Sequence, residues 1–297
     1  MTHAIRQAFL IAATPALLAA QNFDTIQVRA QPLRGGVYML TGSGGNIGVS
    51  VGSDGAFVID DQYAPLSQKI LAAVAALTPQ PVKFVVNTHW HGDHTGGNEN
   101  MGKAGALLVA HENVRKRMSV EQFMAAFNRR VPASPAAALP VVTFTDTATF
   151  HFNGDELVAF HVPPAHTDGD VIVHFTKADV IHMGDTFMTI SYPLIDLSSG
   201  GTVDGFITAA DRALSVCGAQ TIVIPGHGTT TNCAGLREWR NMIFTVRDRV
   251  RAEMEKGRTL DQLKAAGLTK DYDERWGKGF IQPPVFVETV YRSLGGK

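Results

Sequence analysis

The chain has 297 residues, of which 45% are hydrophobic and 18% charged, a composition typical of a globular protein rather than a disordered or fibrous one. Its 26 lysines and arginines nearly balance its 27 aspartates and glutamates, which gives a formal net charge of −1. Because there is no basic excess, we expect neither nucleic acid nor an anionic membrane surface as a partner.

The first twenty residues differ from the rest of the chain. Arg6 is the one charged side chain before Asp24, and the mostly apolar run at residues 8–20 is 13 residues long. A membrane-spanning helix needs roughly 20 apolar residues, so this run is too short for a stable membrane anchor. We predict a signal peptide at residues 1–20, an exported domain at residues 21–297, and a periplasmic or secreted protein. A buried first helix is the alternative.

The two cysteines, Cys217 and Cys233, are sixteen positions apart. This spacing is too wide for a CxxC redox motif, and two thiols are too few for a zinc ribbon. In an oxidising compartment they could form one disulfide, and otherwise they would be two unpaired buried thiols. The sequence leaves both alternatives open.

The predicted elements begin with short strands. Four β-branched or aromatic runs punctuated by glycine predict an opening β-meander, at residues 25–28, 37–40, 47–51 and 56–59. Apolar residues at helical spacing then predict a helix that carries Leu66, Ile70, Val74 and Leu77. An apolar strand at residues 83–86 follows this helix, so the chain continues as a strand, helix, strand unit.

A second helix is predicted from residue 112 to about residue 127. Further strands are predicted near residues 141, 157, 171, 180 and 221. Strands interleaved with helices, without an internal repeat, indicate one α/β domain. We expect two sheets packed face to face, with helices covering their outer faces.

The densest group of metal-competent side chains follows the strand at residues 83–86. Four such side chains fall within six residues in the order H-x-H-x-D-H, namely His89, His91, Asp93 and His94. A loop at the end of a strand can turn these side chains into a cleft while the sheet holds their backbone still. Neutral imidazoles and carboxylates are ligands that zinc accepts, so the motif predicts a metal site.

Three later residues are candidates for the remaining ligands. His166, Asp185 and His227 each follow an apolar strand and lie beside small or turn residues. Gly184 and Gly226 precede the last two and would let the backbone approach a small ion closely. We expect all three side chains to lie near the H-x-H-x-D-H loop.

The order of these motifs resembles that of the metallo-β-lactamase superfamily, whose signature is H-x-H-x-D-H followed by a histidine, an aspartate or cysteine, and a final histidine. The resemblance runs from about Val37 to His227. It implies a four-layer αββα sandwich with the metals at one edge. It also implies two zinc ions per chain, the first held by His89, His91 and His166, the second by Asp93, His94 and His227, with Asp185 bridging them.

Two zinc ions would supply the chemistry of hydrolysis, because they lower the pKa of a shared water from 15.7 to about 7 and polarise a carbonyl. Asp93 would orient the resulting hydroxide and accept its proton. We therefore predict a zinc-dependent metallohydrolase that opens the amide or ester carbonyl of a small molecule, with Asp93 and Asp185 as its catalytic carboxylates. Asp60 and Asp61 are candidates for hydrogen bonds to the imidazoles, with a plain turn role equally open.

The substrate class is predicted from export and from Asp185. An exported enzyme meets β-lactams, lactones and esters, so a β-lactam-type substrate, with a role in antibiotic resistance, is favoured. The dedicated β-lactamases of the superfamily usually carry cysteine or serine at the Asp185 position, whereas its thioesterases and lactonases carry aspartate. A lactonase or glyoxalase II-like thioesterase is therefore the alternative, and an iron-dependent sulfur dioxygenase is a third. The sequence does not predict the oligomeric state.

Overall fold

The computed structural model describes residues 22–296. The predicted signal peptide at residues 1–20 lies outside this range, so it remains a prediction. Within residues 22–296, no helix combines the length and the apolar character that are needed to cross a bilayer. Strands and helices are numbered below in chain order.

The first sheet contains seven strands: β1 (Arg29–Pro32), β2 (Val37–Thr41), β3 (Ile47–Gly52), β4 (Gly55–Ile59), β5 (Val82–Asn87), β6 (Leu107–His111) and β9 (Val142–Phe144). Strands β1 to β4 pair antiparallel with their neighbours in chain order. Strands β4, β5, β6 and β9 pair parallel. The carboxyl ends of β4 and β5 therefore meet at the same edge of the sheet.

The second sheet contains six strands: β10 (Thr147–Phe152), β11 (Asp155–His161), β12 (Val171–Phe175), β13 (Val180–His182), β14 (Ile222–Ile224) and β15 (Thr231–Asn232). Strand β12 is antiparallel to both β11 and β13, and β13 is parallel to β14. Consequently β11, β13 and β14 run in one direction, and the segments that follow them leave the sheet at one edge.

Helices cover the outer face of each sheet. They are α1 (Ser67–Ala75), α2 (Gly92–Thr95), α3 (Asn98–Lys103), α4 (Glu112–Met118), α5 (Val203–Ser215), α6 (Cys233–Glu255), α7 (Leu260–Ala265), α8 (Asp273–Trp276) and α9 (Pro283–Ser293). Buried side chains of α1 and α3 pack on the first sheet, whereas those of α5, α6 and α9 pack on the second.

The core between the sheets is apolar on both sides. Phe57 and Val86 of the first sheet belong to one buried cluster with Leu157 and Phe175 of the second, and all four side chains are fully buried. Burial of this kind is the main favourable contribution to folding. With helices outside and two sheets inside, the predicted four-layer αββα sandwich is confirmed.

The predicted helix from residue 112 to about residue 127 is wrong in its second half. Helix α4 ends at Met118 and is followed by a hairpin of β7 (Gln122–Met124) and β8 (Arg129–Val131). Apolar side chains of this hairpin pack against the buried cluster that contains Trp90. The packing partner lies about thirty residues earlier in the chain, so local periodicity could not reveal it.

The first predicted strand is displaced. A strand is predicted at residues 25–28, but the structure has a 3-10 turn at Phe23–Thr25 and begins β1 at Arg29. Strand β1 pairs with β2 at the edge of its sheet, and all four of its residues are exposed. An exposed edge strand buries no face, so it leaves no alternating hydrophobic pattern in the sequence.

A disulfide joins Cys217, just beyond the end of α5, to Cys233, the first residue of α6. Of the two alternatives that the sequence leaves open, the structure has the bonded one. The bond holds the beginning of α6 against the end of α5, and these two helices form much of the outer layer on the second sheet.

Replacing both Cys217 and Cys233 with serine is expected to lower the free energy of unfolding by about 3 kcal/mol, because the disulfide closes a loop of 16 residues in the unfolded chain. Urea unfolding of the two proteins measures this difference. Dithiothreitol should lower the urea midpoint of the wild-type protein and leave that of the double variant unchanged. A wild-type midpoint that is insensitive to the reductant would contradict the disulfide.

Candidate metal centre

The seven predicted site residues lie together at one edge of the sandwich. The H-x-H-x-D-H loop follows β5 of the first sheet, while His166, Asp185 and His227 lie in the segments that follow β11, β13 and β14 of the second. Their ligand atoms form three overlapping groups in which all atoms lie within 4.8 Å of one another. The common direction of the strands explains this convergence, since it delivers the segments after them to the same edge.

The first group contains His89, His91 and His166, which are all buried. His91 Nδ1 and His166 Nε2 are 2.8 Å apart, and the ring centroid of His89 lies 4.9 Å and 4.6 Å from those of His91 and His166. The three rings therefore turn one nitrogen each toward a common point.

The second group contains Asp93, His94 and His227. His227 Nε2 lies 3.2 Å from Asp93 Oδ2 and 3.4 Å from His94 Nε2. Asp185 lies between the two groups, because its Oδ1 is 3.2 Å from His94 Nε2 and its Oδ2 is 3.6 Å from His166 Nε2. This is the position that a bridging carboxylate requires.

Hydrogen bonds behind the rings determine which nitrogen of His91 and His166 faces inward. His166 Nδ1 lies 2.6 Å from the carbonyl oxygen of Leu194, which can only accept, so this nitrogen carries the proton. His91 Nε2 lies 3.0 Å from Asp196 Oδ2 and donates to that carboxylate. In their neutral forms, both imidazoles consequently present a lone pair to the cluster.

Asp60 has the same effect on the other two histidines of the motif. Its Oδ2 accepts from His94 Nδ1 at 2.7 Å and from the Thr88 hydroxyl at 2.7 Å. Because that hydroxyl donates to Asp60, it is left to accept from His89 Nδ1, 3.0 Å away. One buried carboxylate thereby turns the Nε2 atoms of both His89 and His94 toward the cluster.

Two carboxylates and two imidazoles carry opposite charges in the cluster. Burial opposes ionisation of every group, but His94 and His227 lower the pKa of Asp93 to about 2 and hold that of Asp185 well below its ordinary value. Burial lowers the pKa values of His94 and His227, but the two carboxylates outweigh this effect. They raise the pKa of His227 to about 10 and that of His94 well above its usual range. Protons on the two imidazoles thus balance the charge of the two carboxylates.

The donor set fits a metal ion. His89 Nε2 is a buried atom without a hydrogen-bond partner among the described residues. Such atoms are costly to bury unless something satisfies them. Burial also lowers the pKa of His89 well below its ordinary value, so this imidazole stays neutral and keeps its lone pair. Lone pairs and carboxylates that face one small space are the ligands that a divalent cation accepts.

Two glycines let the backbone approach the cluster. A Cβ atom at Gly226 would lie 2.0 Å from Asp185 Oδ1, and one at Gly45 would lie 2.1 Å from His94 Cε1. Both separations are far below van der Waals contact, so any larger residue would displace Asp185 or His94. The position of Gly226 agrees with the prediction that the backbone beside His227 comes close to the site. The sequence contains no local signal that Gly45 also lies beside the cluster.

Sequence reasoning identified part of the surrounding hydrogen-bond network and missed the rest. Of the two candidates for hydrogen bonds to the imidazoles, Asp60 contacts His94 as predicted. Asp61 instead accepts from the backbone N–H of Gly97 and has a turn role. The roles of Asp196 and of the Leu194 carbonyl were missed, because their partners are separated from them in sequence by 105 and 28 residues.

The remaining histidines that the described residues contain lie outside the three metal-competent groups. His111 and His161 stack on each other with ring centroids 3.8 Å apart, and His182 Nε2 lies 3.1 Å from the carbonyl oxygen of Asn46. His151 and His174 lie on β10 and β12. Each of the five therefore has a position in the fold apart from the cluster.

The cluster opens into a cavity of about 500 Å³. Asp93, Asp185 and His227 line its base, and Tyr63 and Arg129 are among the polar side chains on its walls. Burial and the nearby Asp93 carboxylate raise the pKa of Tyr63, so its hydroxyl stays protonated at neutral pH. A small polar molecule could therefore reach the carboxylates and imidazoles from this side.

Curated proteins similar to this chain include two hydrolases. A hydroxyacylglutathione hydrolase from Rhodospirillum rubrum is 27% identical over 206 residues, which are 68% of this chain and 67% of that protein. Another, from Erythrobacter litoralis, is 26% identical over 110 residues, which are 37% of this chain and 36% of that protein.

Solved structures share the fold at low sequence identity. A metallo-β-lactamase from Pontibacter korlensis has a TM-score of 0.60 and 21% identity, and the match covers 73% of this chain and 99% of that one. The sec-alkylsulfatase Pisa1 from a Pseudomonas species has a TM-score of 0.67 and 18% identity, covering 89% of this chain and 50% of that one. At these identities the likeness concerns the fold alone.

The sequence model of the metallo-β-lactamase superfamily matches residues 40–231. This range is more than half of the chain, and it includes all seven residues of the cluster, from His89 to His227. With the sandwich fold and the geometry of the cluster, the match identifies the family: the chain belongs to the metallo-β-lactamase superfamily.

Proposed function

We propose that this protein is a dinuclear metallohydrolase that opens the carbonyl of a small-molecule ester, thioester or amide. One observation carries the proposal: hydrogen bonds behind His89, His91, His94 and His166 turn a ring nitrogen of each toward the cluster. Membership of a superfamily of metallohydrolases supports the same conclusion. A closed structural zinc site needs four ligands, whereas seven beside an open cavity suit a pair of ions and a substrate.

The ligands would divide as the family resemblance implies. His89, His91 and His166 would hold one ion, Asp93, His94 and His227 the other, and Asp185 would contact both. A pair of divalent ions, when bound, supplies a hydroxide nucleophile at neutral pH and polarises the carbonyl that is attacked. We propose zinc for both positions, because imidazole and carboxylate ligands suit it.

The side chains of the chain have separate parts in this reaction. Asp93 is ionised, faces the cavity and accepts hydrogen bonds through its carboxylate, so it can orient the attacking water and receive its proton. Asp185 is 6% exposed and lies between the two groups, with its two oxygens 3.2 Å from His94 Nε2 and 3.6 Å from His166 Nε2. Asp60 and Asp196 hold the rings of His94 and His91, which keeps the ligand atoms in place before substrate arrives.

Among carbonyl substrates, we place a thioester or ester ahead of a β-lactam. The two hydroxyacylglutathione hydrolases that the chain resembles support a thioester. The aspartate at position 185 supports the same group, since the resemblance associates cysteine or serine with the dedicated β-lactamases. The β-lactam substrate that export favours remains the second candidate, and the test below includes it.

We further propose that the protein works outside the cytoplasm. The predicted signal peptide at residues 1–20 and the Cys217–Cys233 disulfide support this location, because disulfides persist in oxidising compartments. In such a compartment the substrate would be a small molecule that enters or leaves the cell.

Removal of metal is expected to abolish hydrolysis. The protein, dialysed against a chelator and reloaded with zinc, manganese or iron, would be assayed with S-lactoylglutathione, a γ-lactone and nitrocefin. We expect zinc to restore turnover of at least one of the three, with two ions per chain by elemental analysis. Full activity of the metal-free protein, or one iron per chain with oxygen uptake, would overturn the hydrolase proposal.

His166→Ala is expected to lower kcat/KM more than about a hundredfold, because substitutions of the outer partners of metal ligands already cost about ten- to a hundredfold. His174→Ala is the matched control, since His174 lies on β12 away from the cluster and should retain activity within about threefold. Equal losses in both variants would show that the effect comes from folding rather than from the cluster.

Asp60→Asn is expected to weaken zinc binding about ten- to a hundredfold, because the amide cannot hold His94 and Thr88 as the carboxylate does. The neighbouring Asp61 supplies a control of the same residue type. Burial raises the pKa of Asp61 well above its ordinary value, and its carboxyl group accepts from the backbone N–H of Gly97 rather than from a ligand side chain, so Asp61→Asn should change the zinc affinity less than about threefold. Competition with a chelating dye measures both, and equal losses would contradict the assigned role of Asp60.

A further inference from the structure

A second cavity of about 610 Å³ adjoins the metal centre and is called the tail cavity below. It lies between the tip of the β7–β8 hairpin, the segment at residues 193–198, and the beginning and exposed side of α9. Its volume is within the range of pockets that bind drug-sized ligands. The mechanism proposed above uses none of this space.

The tail cavity shares part of its lining with the cavity over the cluster. Phe127, Leu194 and Phe280 line both spaces, so they form the boundary across which a ligand would extend. Leu194 also fixes the geometry of the centre, because its carbonyl oxygen accepts from His166 Nδ1. A molecule with one end at the cluster and the other in the tail cavity would therefore pass beside Leu194, whose backbone is hydrogen-bonded to the ligand His166.

The tail cavity is lined mainly by apolar side chains. Its lining includes Ala125, Ile195, Leu197, Ile281 and Val285. Leu197 and Val285 are 37% and 48% exposed. Phe127 and Phe280 at the boundary are 49% and 54% exposed. Large apolar side chains exposed singly are ordinary on a protein surface, but several around one cavity mark a place where an apolar group binds.

The charged side chains that line this cavity each contact another side chain of the protein. Arg292 and Glu288 pair at 2.8 Å, and Glu288 also pairs with Lys264. Asp196 accepts hydrogen bonds from His91 and from the Ser199 hydroxyl. Each described charged side chain of the lining thus already has a partner in the protein, and a charged group among the apolar side chains of the tail cavity would lose its hydration there.

We propose that the substrate carries an uncharged apolar tail, alkyl or aryl, that occupies the tail cavity while its carbonyl lies at the metal cluster. The inference deepens the proposed function and rests on it for the position of the carbonyl. It narrows the substrate class to long-chain or aryl-substituted acyl compounds. Small compact substrates would leave the apolar wall in contact with water.

The first experiment measures binding, so it does not depend on turnover. The probes are straight-chain carboxylates, from acetate through hexanoate to decanoate, titrated into the zinc-loaded protein by calorimetry. We expect the dissociation constant to fall up to about fourfold for each methylene that enters the cavity, the ratio that corresponds to about 0.8 kcal/mol. A dissociation constant that is independent of chain length would overturn the proposal.

Ala126→Trp places a large ring in the tail cavity from an exposed position on the hairpin. In this variant, the preference for decanoate over acetate should fall at least tenfold. Ala252→Trp is the matched control, because Ala252 is an exposed alanine on α6 that lines neither cavity. An unchanged preference in Ala126→Trp, or an equal loss in Ala252→Trp, would contradict the assigned location.

The same comparison in turnover separates the inference from the proposed function. With p-nitrophenyl acetate, hexanoate and decanoate, kcat/KM of the wild-type protein should increase with the length of the acyl chain. In Ala126→Trp, the ratio of kcat/KM for the decanoate to that for the acetate should be at least tenfold smaller than in the wild-type protein. If none of the esters, thioesters, lactones or lactams is hydrolysed, the proposed function fails, while the chain-length dependence of binding still decides whether the tail cavity exists as a binding site.

Discussion

Five imidazoles and two carboxylates are packed into one small space, where five of the seven side chains are buried, and the rest of the site depends on this electrostatic constraint. Charges of one sign would be unstable there, so the two carboxylates and two of the imidazoles compensate each other. Cations in the same space would replace those protons, because the imidazoles bind metal through the nitrogen that carries no proton. Burying the two carboxylates is therefore unfavourable in free energy unless a positive charge lies beside them, and a metal ion can supply that charge.

The two sheets satisfy this constraint by holding the ligands from behind. Asp60 follows β4 and supports two histidines of the loop after β5, while the segment at residues 193–198 supports His91 and His166. Neither support is itself a ligand. Since these four rings are held through their outer nitrogens, their geometry is established by the fold before an ion or substrate binds, as an efficient metallohydrolase requires.

The segment at residues 193–198 connects the centre with the proposed tail cavity. Its backbone and Asp196 hold two ligands, and its apolar side chains line the adjoining space. Substrate selection and ligand positioning would consequently involve the same few residues. The cluster is built on strand ends, whereas the tail cavity is built on the hairpin, the segment at residues 193–198 and α9.

The sequence by itself determined the class of fold and the seven side chains of the cluster. Both depend on local patterns: hydrophobic periodicity for the strands and helices, and ligand-type residues directly after apolar strands. The tertiary structure decided what local patterns do not contain, including the hairpin after α4, the disulfide and the supports from Thr88, Leu194 and Asp196. Asp196 shows the physical reason, because its bond to His91 spans 105 residues and exists only when two sheets meet. The tail cavity likewise arises where three distant segments come together.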